Sequence, residues 1–220
     1  MQLNAFLQAL DDLLQPAKFN DYCPNGLQVE GRAEVRTLVT GVTASEALID
    51  AAIALKADAI LVHHGYFWKG ERAEIIGMKR RRIGKLISHD LSLLAYHLPL
   101  DAHPTLGNNA QLAQRLGFAR ESSLFPQDPR AVGDVGTLVP AMTADALSQR
   151  IEEVLGRKPL HIAGSDKLIQ RVAWCTGGAQ GFIEQAIAMG VDAYFSGEIS
   201  EPTVHAARES GVHYWAMGHH

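Results

Sequence analysis

The residues best suited to chemistry in this chain are two adjacent histidines, His63 and His64, which follow the apolar run 58–62. A second set, His97 and Asp101, follows the next apolar run of the chain. Ligands of α/β proteins bind beyond the carboxyl ends of the strands, so we expect these four side chains to meet at one edge of a sheet. Imidazole and carboxylate groups are ligands that divalent transition metals favour. The sequence therefore predicts a metal site.

The adjacency of the two histidines indicates a pair of metal ions. Successive side chains of a strand point to opposite faces, so His63 and His64 can serve one site only where the strand has ended, and Gly65 permits that turn. Such a pair suits two metals, one imidazole to each, with Asp101 spanning or flanking them. Paired metals ~3.5–4 Å apart clamp an attacking and a leaving oxygen, or lower the pKa of a bound water toward ~7. The alternative for a single histidine is a surface or hydrogen-bonded structural role.

The chain contains 10 histidines, and the others divide into two sets. His97 and His103 are each either metal ligands or residues that orient a ligand. His219 and His220 follow a predicted strand over 212–217; the alternative, that they begin a purification tag, is disfavoured by that strand. The remaining histidines are expected to be structural or surface residues: His89, His161, His205 and His213.

The elements that must position these residues alternate along the first part of the chain. Apolar residues at helical spacing predict a helix over 3–14, ended by Pro16, and Pro24-Asn25-Gly26 is a turn signal. The alternation of strands and helices that follows is typical of a parallel sheet. The predicted strands are 38–42, 59–62 and 91–97, and the predicted helices are a segment capped by Thr43 or Ser45 that runs to about Lys56, then 71–90 and 109–117.

A second half begins near Val132, and part of it repeats the first. Strands are predicted at 137–139, 160–163 and 172–176, with a helix over 144–155 that Thr143 caps. The segment 48–59 aligns without gaps with 182–193, which predicts a duplicated β-α-β unit; chance similarity of two alanine-rich helices is the alternative. The sequence thus predicts an α/β protein with two similar domains, 1–128 and 129–220. The repeat places His63-His64 opposite Gly197-Glu198.

Composition bounds the class of protein. The chain has 220 residues, 47% of them hydrophobic and 20% charged, as in an ordinary globular protein of one large or two small domains. Its net charge of −4 gives no general attraction to nucleic acid or to anionic membranes. The two cysteines form no C-x-x-C, which argues against a disulfide framework and a zinc ribbon. No signal peptide or membrane-spanning run is evident, so we expect a cytoplasmic location.

Three further motifs each allow two interpretations. The basic cluster 79–85 is either a surface ion-pair network, which we favour, or an anion-binding patch. The glycines Gly177, Gly178 and Gly181 either cradle a phosphate at a helix N-terminus or allow tight packing of strand and helix, which is the favoured interpretation. The aromatic run 66–68 either stacks on a planar ring such as a base or forms an apolar lid or subunit contact.

Several of these motifs occur together in a known family. They are Asn25-Gly26-Leu27-Gln28-Val29, the segment 59–65, Tyr96-His97 with Asp101, Asn108-Asn109, Ser196-Gly197-Glu198 and Gly218-His219-His220. With these motifs, over nearly its whole length, the chain resembles the Nif-three-like proteins with a dinuclear metal centre, which are described as GTP cyclohydrolase I type 2 homologues.

The resemblance implies a site and an assembly. Its metal ligands are His63, His64, Asp101 and His219, with His97 close by, and they hold two divalent ions that are Zn, Fe, Mn, Ni or Co. It implies two similar interleaved α/β domains with α/β/α layers, in which the C-terminus packs back on the first half, and a toroidal homohexamer. The family pattern continues after His220 with Ala-Thr-Glu, whose glutamate is a further ligand, so we expect this chain to be truncated.

The function that the resemblance implies is hydrolysis of nucleotides or related heterocycles, such as opening of the imidazole ring of GTP. His97 could then shuttle a proton, since the unperturbed pKa of histidine lies near neutrality. One alternative is a metal-dependent phosphatase or phosphodiesterase of damaged nucleotides. Another is a non-enzymatic hexameric ring that acts as a metal-stabilised binding or regulatory protein. A nucleic-acid partner is not favoured, because the chain is acidic, and no membrane partner is expected.

Overall fold

The chain forms two compact units, Met1–Leu100 and Asp101–His220. The structure is a computed structural model that describes residues 1–128 and 131–219. The division lies between Leu100 and Asp101, not between 128 and 129 as the sequence suggested. The reason is that residues 108–123 form a helix and a strand that pack and pair within the second unit, a long-range preference that sequence periodicity does not carry.

The first unit contains a four-stranded sheet. Its helices are α1 (Leu3–Leu14), α2 (Glu46–Ala54) and α3 (Gly77–Ser88), and its strands are β1 (Gly26–Val29), β2 (Leu38–Thr43), β3 (Ala59–His64) and β4 (Ser92–Ala95). The short helix α4 (Leu98–Asp101) crosses the division in the chain, because its last residue is assigned to the second unit. The strand order is β1-β4-β3-β2. Strands β2, β3 and β4 are parallel, whereas β1 pairs antiparallel with β4.

Helices cover both faces of this sheet. Strand residues such as Ile60 and Leu93 pack on one face with Ile49 of α2 and Leu86 of α3. Their neighbours in sequence point to the other face, where Leu94 packs with residues of α1. This alternation follows from the period of two along a strand, and it leaves the middle strands apolar on both sides.

The second unit contains a six-stranded sheet. Its helices are α5 (Asn108–Leu116), α6 (Ala144–Leu155), α7 (Ile183–Ala188) and α8 (Glu201–Ser210), and its strands are β5 (Phe118–Ser123), β6 (Asp134–Met142), β7 (Leu160–Ile162), β8 (Ile169–Cys175), β9 (Ala193–Ser196) and β10 (His213–Ala216). The strand order is β5-β6-β8-β9-β10-β7. Helices α5 and α6 pack against one face, and α7 and α8 against the other.

The repeat found in the sequence is present in the topology. In the first unit, β2, α2, β3, α3 and β4 form three neighbouring parallel strands joined by helices. In the second unit, β8, α7, β9, α8 and β10 do the same. The α/β class with two sheet-and-helix units is confirmed.

The observed elements differ from the sequence prediction at several places. Strand β3 continues through His64, whereas the prediction ended it at Val62. The helix predicted over 71–90 is confined to Gly77–Ser88. Strands β1 and β5 were not predicted, because β1 begins inside the turn signal at Gly26 and β5 follows directly on a helix. Helices α1 and α6 have the predicted bounds, and Ser45 rather than Thr43 caps α2.

Within the described residues, no helix combines the length and the apolar character needed to cross a lipid bilayer.

Candidate metal centre

Three histidines of the first unit converge at the carboxyl ends of two neighbouring strands. The ring centroids of His63 and His64 are 4.5 Å apart, and that of His97 lies 5.1 Å from the first and 5.7 Å from the second. His63 has a ring nitrogen within 4.8 Å of a ring nitrogen of His64, and likewise one within 4.8 Å of a ring nitrogen of His97. These side chains belong to the residue groups that could hold a metal ion.

The strand does not end before the histidine pair, so the predicted reason for their convergence was wrong. Strand β4 pairs with β3 only as far as Val62, which is opposite Ala95. His63 and His64 extend past that last pair and keep a strand neighbour only on the β2 side, where His64 is opposite Thr43. The end of the neighbouring strand opens the space in which both rings lie.

His63 is held in a form suited to bind a metal. Its side chain is buried, and its Nδ1 lies 3.0 Å from the carbonyl oxygen of Tyr96. Since a carbonyl only accepts, Nδ1 carries the proton and Nε2 keeps a lone pair. Backbone carbonyls fix metal-binding histidines in this way in known sites.

His97 is oriented by a carboxylate that sequence reasoning did not single out. Its Nδ1 lies 2.7 Å from Oδ1 of Asp21, and its backbone N–H donates to Oδ1 of Asn25 at 2.7 Å. Asp21 also accepts from Nδ2 of Asn25 at 2.9 Å and from the backbone N–H groups of Tyr22 and Leu98 at 2.6 and 2.8 Å. Four donors therefore fix one carboxylate, and the carboxylate fixes the imidazole.

These contacts keep Asp21 ionised. Burial of its side chain acts to raise the pKa, but the hydrogen bonds from His97 and Asn25, with the positive charge that His97 can carry, outweigh it and lower the pKa below the usual 3.8. The ionised carboxylate draws the His97 proton to Nδ1 and leaves Nε2 as the atom that can accept a proton or bind a metal.

A buried thiol lies beside this pair. Donor atoms of Asp21, Cys23 and His97 all lie within 4.8 Å of one another. Burial, with the nearby charge of Asp21, raises the pKa of Cys23 to about 12. The thiolate is the form that binds metals, so at neutral pH this cysteine is a much weaker ligand than the imidazoles.

The aromatic residues 66–68, which follow the histidine pair, have different environments: Tyr66 is part of the core and Trp68 borders the histidine cluster. Tyr66 is buried and donates from its hydroxyl to the Ala44 carbonyl at 2.6 Å. Trp68 lies edge-on to His97 with ring centroids 4.9 Å apart, and its Nε1 donates to the Gly65 carbonyl at 3.2 Å. Of the run, only Trp68 contacts the histidine cluster.

Gly65 is required for space rather than for a special backbone angle. A Cβ atom at this position would lie 2.2 Å from Oε1 of Gln28 and 2.7 Å from Cβ of Ala95. Gln28 holds the same loop, because its Oε1 accepts from the backbone N–H of Tyr66 at 2.7 Å and its Nε2 donates to the Pro24 carbonyl at 2.8 Å. The loop after the histidine pair is thus fixed by close packing against β1.

The other two predicted ligands belong to the second unit. Asp101, the last residue of α4, is buried and accepts a hydrogen bond from Nδ2 of Asn108 at 2.7 Å. His219 lies beyond β10, next to Gly177, where a Cβ atom would lie 3.1 Å from Nε2 of His219. Gly177 therefore leaves room for the imidazole. His220 lies outside the described residues.

The remaining motifs make local contacts. His103 accepts at Nδ1 from the backbone N–H of Leu106 at 3.1 Å, a contact within its own turn. Lys85 of the basic cluster pairs with Glu46 and Asp50 at 3.0 and 2.6 Å, as expected of a surface ion-pair network. The four histidines expected to be structural or surface residues make such contacts: His89 with the Lys85 carbonyl, His205 with Glu201, and His161 with His213.

Sequence reasoning missed Asp21 and Gln28. The contact between Asp21 and His97 joins residues 76 positions apart, which no local spacing reveals. The only local signal was the turn Pro24-Asn25-Gly26, which contains Asn25 and is preceded by Asp21.

Comparison with known proteins identifies the family. A family model described as Duf34/NIF3 (NGG1p interacting factor 3) matches residues 1–220. Two relatives, both named GTP cyclohydrolase 1 type 2 homolog, are 55% identical over 218 residues in Pseudomonas aeruginosa and 58% identical over 222 residues in Vibrio cholerae. They are matched over 99% and 100% of this chain and 86% of each relative. The chain belongs to the NIF3 family, as its motifs indicated.

Solved structures share the fold. Protein ybgI, described as of unknown function, has a TM-score of 0.94 and 50% identity, over 100% of this chain and 87% of that chain. TTHA1606 from Thermus thermophilus has a TM-score of 0.87 and 31% identity, over the same shares.

Proposed function

We propose that this protein is a metal-dependent hydrolase of nucleotides or related heterocycles, with two divalent metal ions bound by His63, His64, Asp101 and His219. The observation that carries the proposal is the convergence of His63, His64 and His97, with His63 fixed in a metal-binding tautomer. The names of the relatives support the choice of substrate class. Zn, Fe, Mn, Ni and Co all suit imidazole and carboxylate ligands.

The donor set fits divalent ions of this kind. The His63 Nδ1 donates to a carbonyl, which makes Nε2 the ring nitrogen that can bind a metal. Asp101 supplies a carboxylate that Asn108 holds by a hydrogen bond. When bound, such ions provide Lewis acidity and lower the pKa of water.

His97 is the residue we propose to move a proton. The Asp21 carboxylate holds the His97 ring by Nδ1, so that Nε2 is the ring nitrogen placed to take a proton and return it. Trp68 borders the ring on one side and restricts its rotation. The proposed hydrolysis of a heterocycle would require a residue that transfers a proton near the metals.

The experiment is hydrolysis of GTP by protein stripped with a chelator and reloaded with single metals. Formate release reports ring opening, and phosphate release reports the alternative phosphatase or phosphodiesterase activity. We expect turnover only after reloading, and loss of turnover in His63→Ala and Asp101→Ala with assembly intact. His89→Ala is the matched control, because the His89 ring makes hydrogen-bond contacts with Ser88 and with the Lys85 carbonyl of α3. Turnover that survives both substitutions would refute the proposal.

The homohexamer and the cytoplasmic location stay predictions. Exposed apolar side chains just before and within α3 support a surface for self-association: Ile75, Ile76 and Met78 are 49%, 60% and 54% exposed. Light scattering coupled to size-exclusion chromatography tests it. A six-chain mass that is lost on metal removal and returns on reloading, in protein without hydrolase activity, would favour the alternative of a metal-stabilised binding or regulatory ring.

A further inference from the structure

The second unit contains a cavity of about 410 Å³ that no residue of the histidine cluster occupies. Its lining comes from α5, from the end of α6 and from the loops after β8 and β10. A volume of this size suits a small organic ligand. His219, one of the ligands in the proposed function, lies in its wall.

The lining is positively charged. Arg115 and Arg157 both contribute to it, and no lining residue is a carboxylate. Among the described residues, neither guanidinium makes an ion pair or hydrogen bond that would neutralise it. Two uncompensated guanidiniums in one concave surface favour a phosphate, which arginine binds with two parallel hydrogen bonds.

Arg157 is placed beside His219 by the backbone of the intervening loop. Gly218 has a φ of +83°, and a Cβ atom there would lie 2.5 Å from Nη1 of Arg157. Only glycine allows the guanidinium to lie against the chain at this point. The positive charge therefore adjoins the residue directly before His219.

A hydroxyl in the same wall lacks an internal partner. Oγ1 of Thr176 is buried, and within residues 1–128 and 131–219 it has no hydrogen-bond partner, although its backbone N–H donates to Oδ1 of Asn109 at 2.8 Å. A buried hydroxyl without a partner is costly, and an oxygen of a ligand would satisfy it.

The other side of the cavity is apolar. Leu112, Val154 and Met217 line it, and they offer a surface for the flat ring of a base. A ligand with an anionic end and an apolar ring matches the two sides together.

We infer that this cavity binds the substrate as a nucleoside phosphate, with Arg115 and Arg157 on the phosphate groups. The inference rests on the proposed function and narrows its substrate class. The substrate carries a phosphate group, and a free base or nucleoside, which lacks that group, should bind this cavity too weakly to be the substrate. Arg115 and Arg157 are then specificity-determining residues outside the histidine cluster.

The test is calorimetric binding of GTP, guanosine and tripolyphosphate to full-length, chelator-treated protein. We expect GTP to bind at least tenfold more tightly than guanosine. The double variant Arg115→Gln/Arg157→Gln should lose at least tenfold in GTP affinity while its guanosine affinity is unchanged. Arg157→Lys keeps the positive charge but lacks the planar guanidinium group, so its GTP affinity should lie between those of the wild type and the double variant.

The matched control is Arg208→Gln. Arg208 is exposed on α8, which packs against the opposite face of the sheet from α5 and α6. This control should bind GTP like the wild type, and thermal melts should confirm that the double variant is folded.

Equal GTP affinity in the double variant and the wild type would overturn the inference. So would binding of tripolyphosphate without binding of GTP, because the site would then take free polyphosphate. If GTP binds in the expected way but no metal-loaded protein turns it over, the hydrolase proposal fails and the binding site stands. If turnover occurs with no dependence on the arginines, the hydrolase stands and this inference fails.

Discussion

Replacement of Asp21 by asparagine tests how the site is held together. The Asp21 carboxylate accepts four hydrogen bonds, two on each oxygen: Oδ1 from His97 and Tyr22, and Oδ2 from Asn25 and Leu98. Asparagine has one oxygen and one NH2 group. In either orientation its NH2 group meets two donors, so the two hydrogen bonds on that side cannot form.

The cost follows from the number of hydrogen bonds that the substitution breaks. Hydrogen bonds to a charged group contribute about 1.5–3 kcal/mol each, and the side chain of Asp21 is only 3% exposed, so water cannot replace them. With two of the four hydrogen bonds broken, we expect Asp21→Asn to lower the free energy of unfolding by about 3–6 kcal/mol. If the NH2 group faces His97, the hydrogen bond to Nδ1 could re-form only if the imidazole moved its proton to Nε2, which would remove the Nε2 lone pair that binds a metal.

The assay is urea unfolding of metal-free wild type and variant, with Asp12→Asn as the control. Asp12 lies on the exposed surface of α1 and accepts one hydrogen bond, from Gln8. The Asp12→Asn substitution should change the free energy of unfolding by less than about 0.5 kcal/mol. A decrease no larger than this in Asp21→Asn would refute the reasoning, because the four hydrogen bonds would then contribute little.

The pH dependence gives a second check on Asp21. Its folded-state pKa is lowered, so its stabilisation is fully present above the ordinary value of 3.8 and is lost as the pH falls through the lowered folded-state pKa. The difference in stability between wild type and variant should be constant from neutral pH down to about pH 5 and should shrink below 3.8. A difference that grows on acidification would contradict the assignment.

Two further outcomes are expected. Gly65→Ala should lower the free energy of unfolding by about 1–3 kcal/mol, because its Cβ would lie 2.2 Å from Oε1 of Gln28. The control Gly84→Ala in α3, where a Cβ would meet open space, should be neutral or stabilising. Equal melting temperatures for the two variants would contradict this. Burial is the main cause that lowers the pKa values of His161 and His213 below 6.5. Their contribution to stability is therefore complete above pH 6.5 and declines as the pH falls through the lowered folded-state pKa values. NMR titration midpoints at or above pH 6.5 would contradict this.

Much of the fold could be predicted because its signals are local. The helical spacing of leucines gave α1, and the cap at Thr143 gave the start of α6. The aligned segments 48–59 and 182–193 indicated two related β-α-β units, which are present. The first two signals each lie within a dozen residues of chain, and the third compares two segments of twelve residues each.

The missed features depend on partners distant in sequence. Strand β1 has only four residues and exists because it pairs with β4, and β5 exists because it pairs with β6. The division at Leu100 depends on which sheet the following helix packs against. Local patterns contain none of these pairings.

The candidate site shows the same contrast. His63, His64 and His97 could be grouped because strand ends in a parallel sheet share one edge. The role of Asp21 could not be predicted, because its contact with His97 spans 76 positions. The reason for Gly65 also differed: the expected need was for a turn, and the observed need is for space beside Gln28.

The most direct test of the central claim is the metal content per chain, measured by mass spectrometry on protein purified without a histidine tag and reloaded with one divalent metal. We expect bound metal approaching two ions per chain, a marked loss in His63→Ala and in His219→Ala, and no change in His89→Ala. Absence of metal after reloading, or content unaffected by both substitutions, would contradict it and leave the histidine cluster with a structural role.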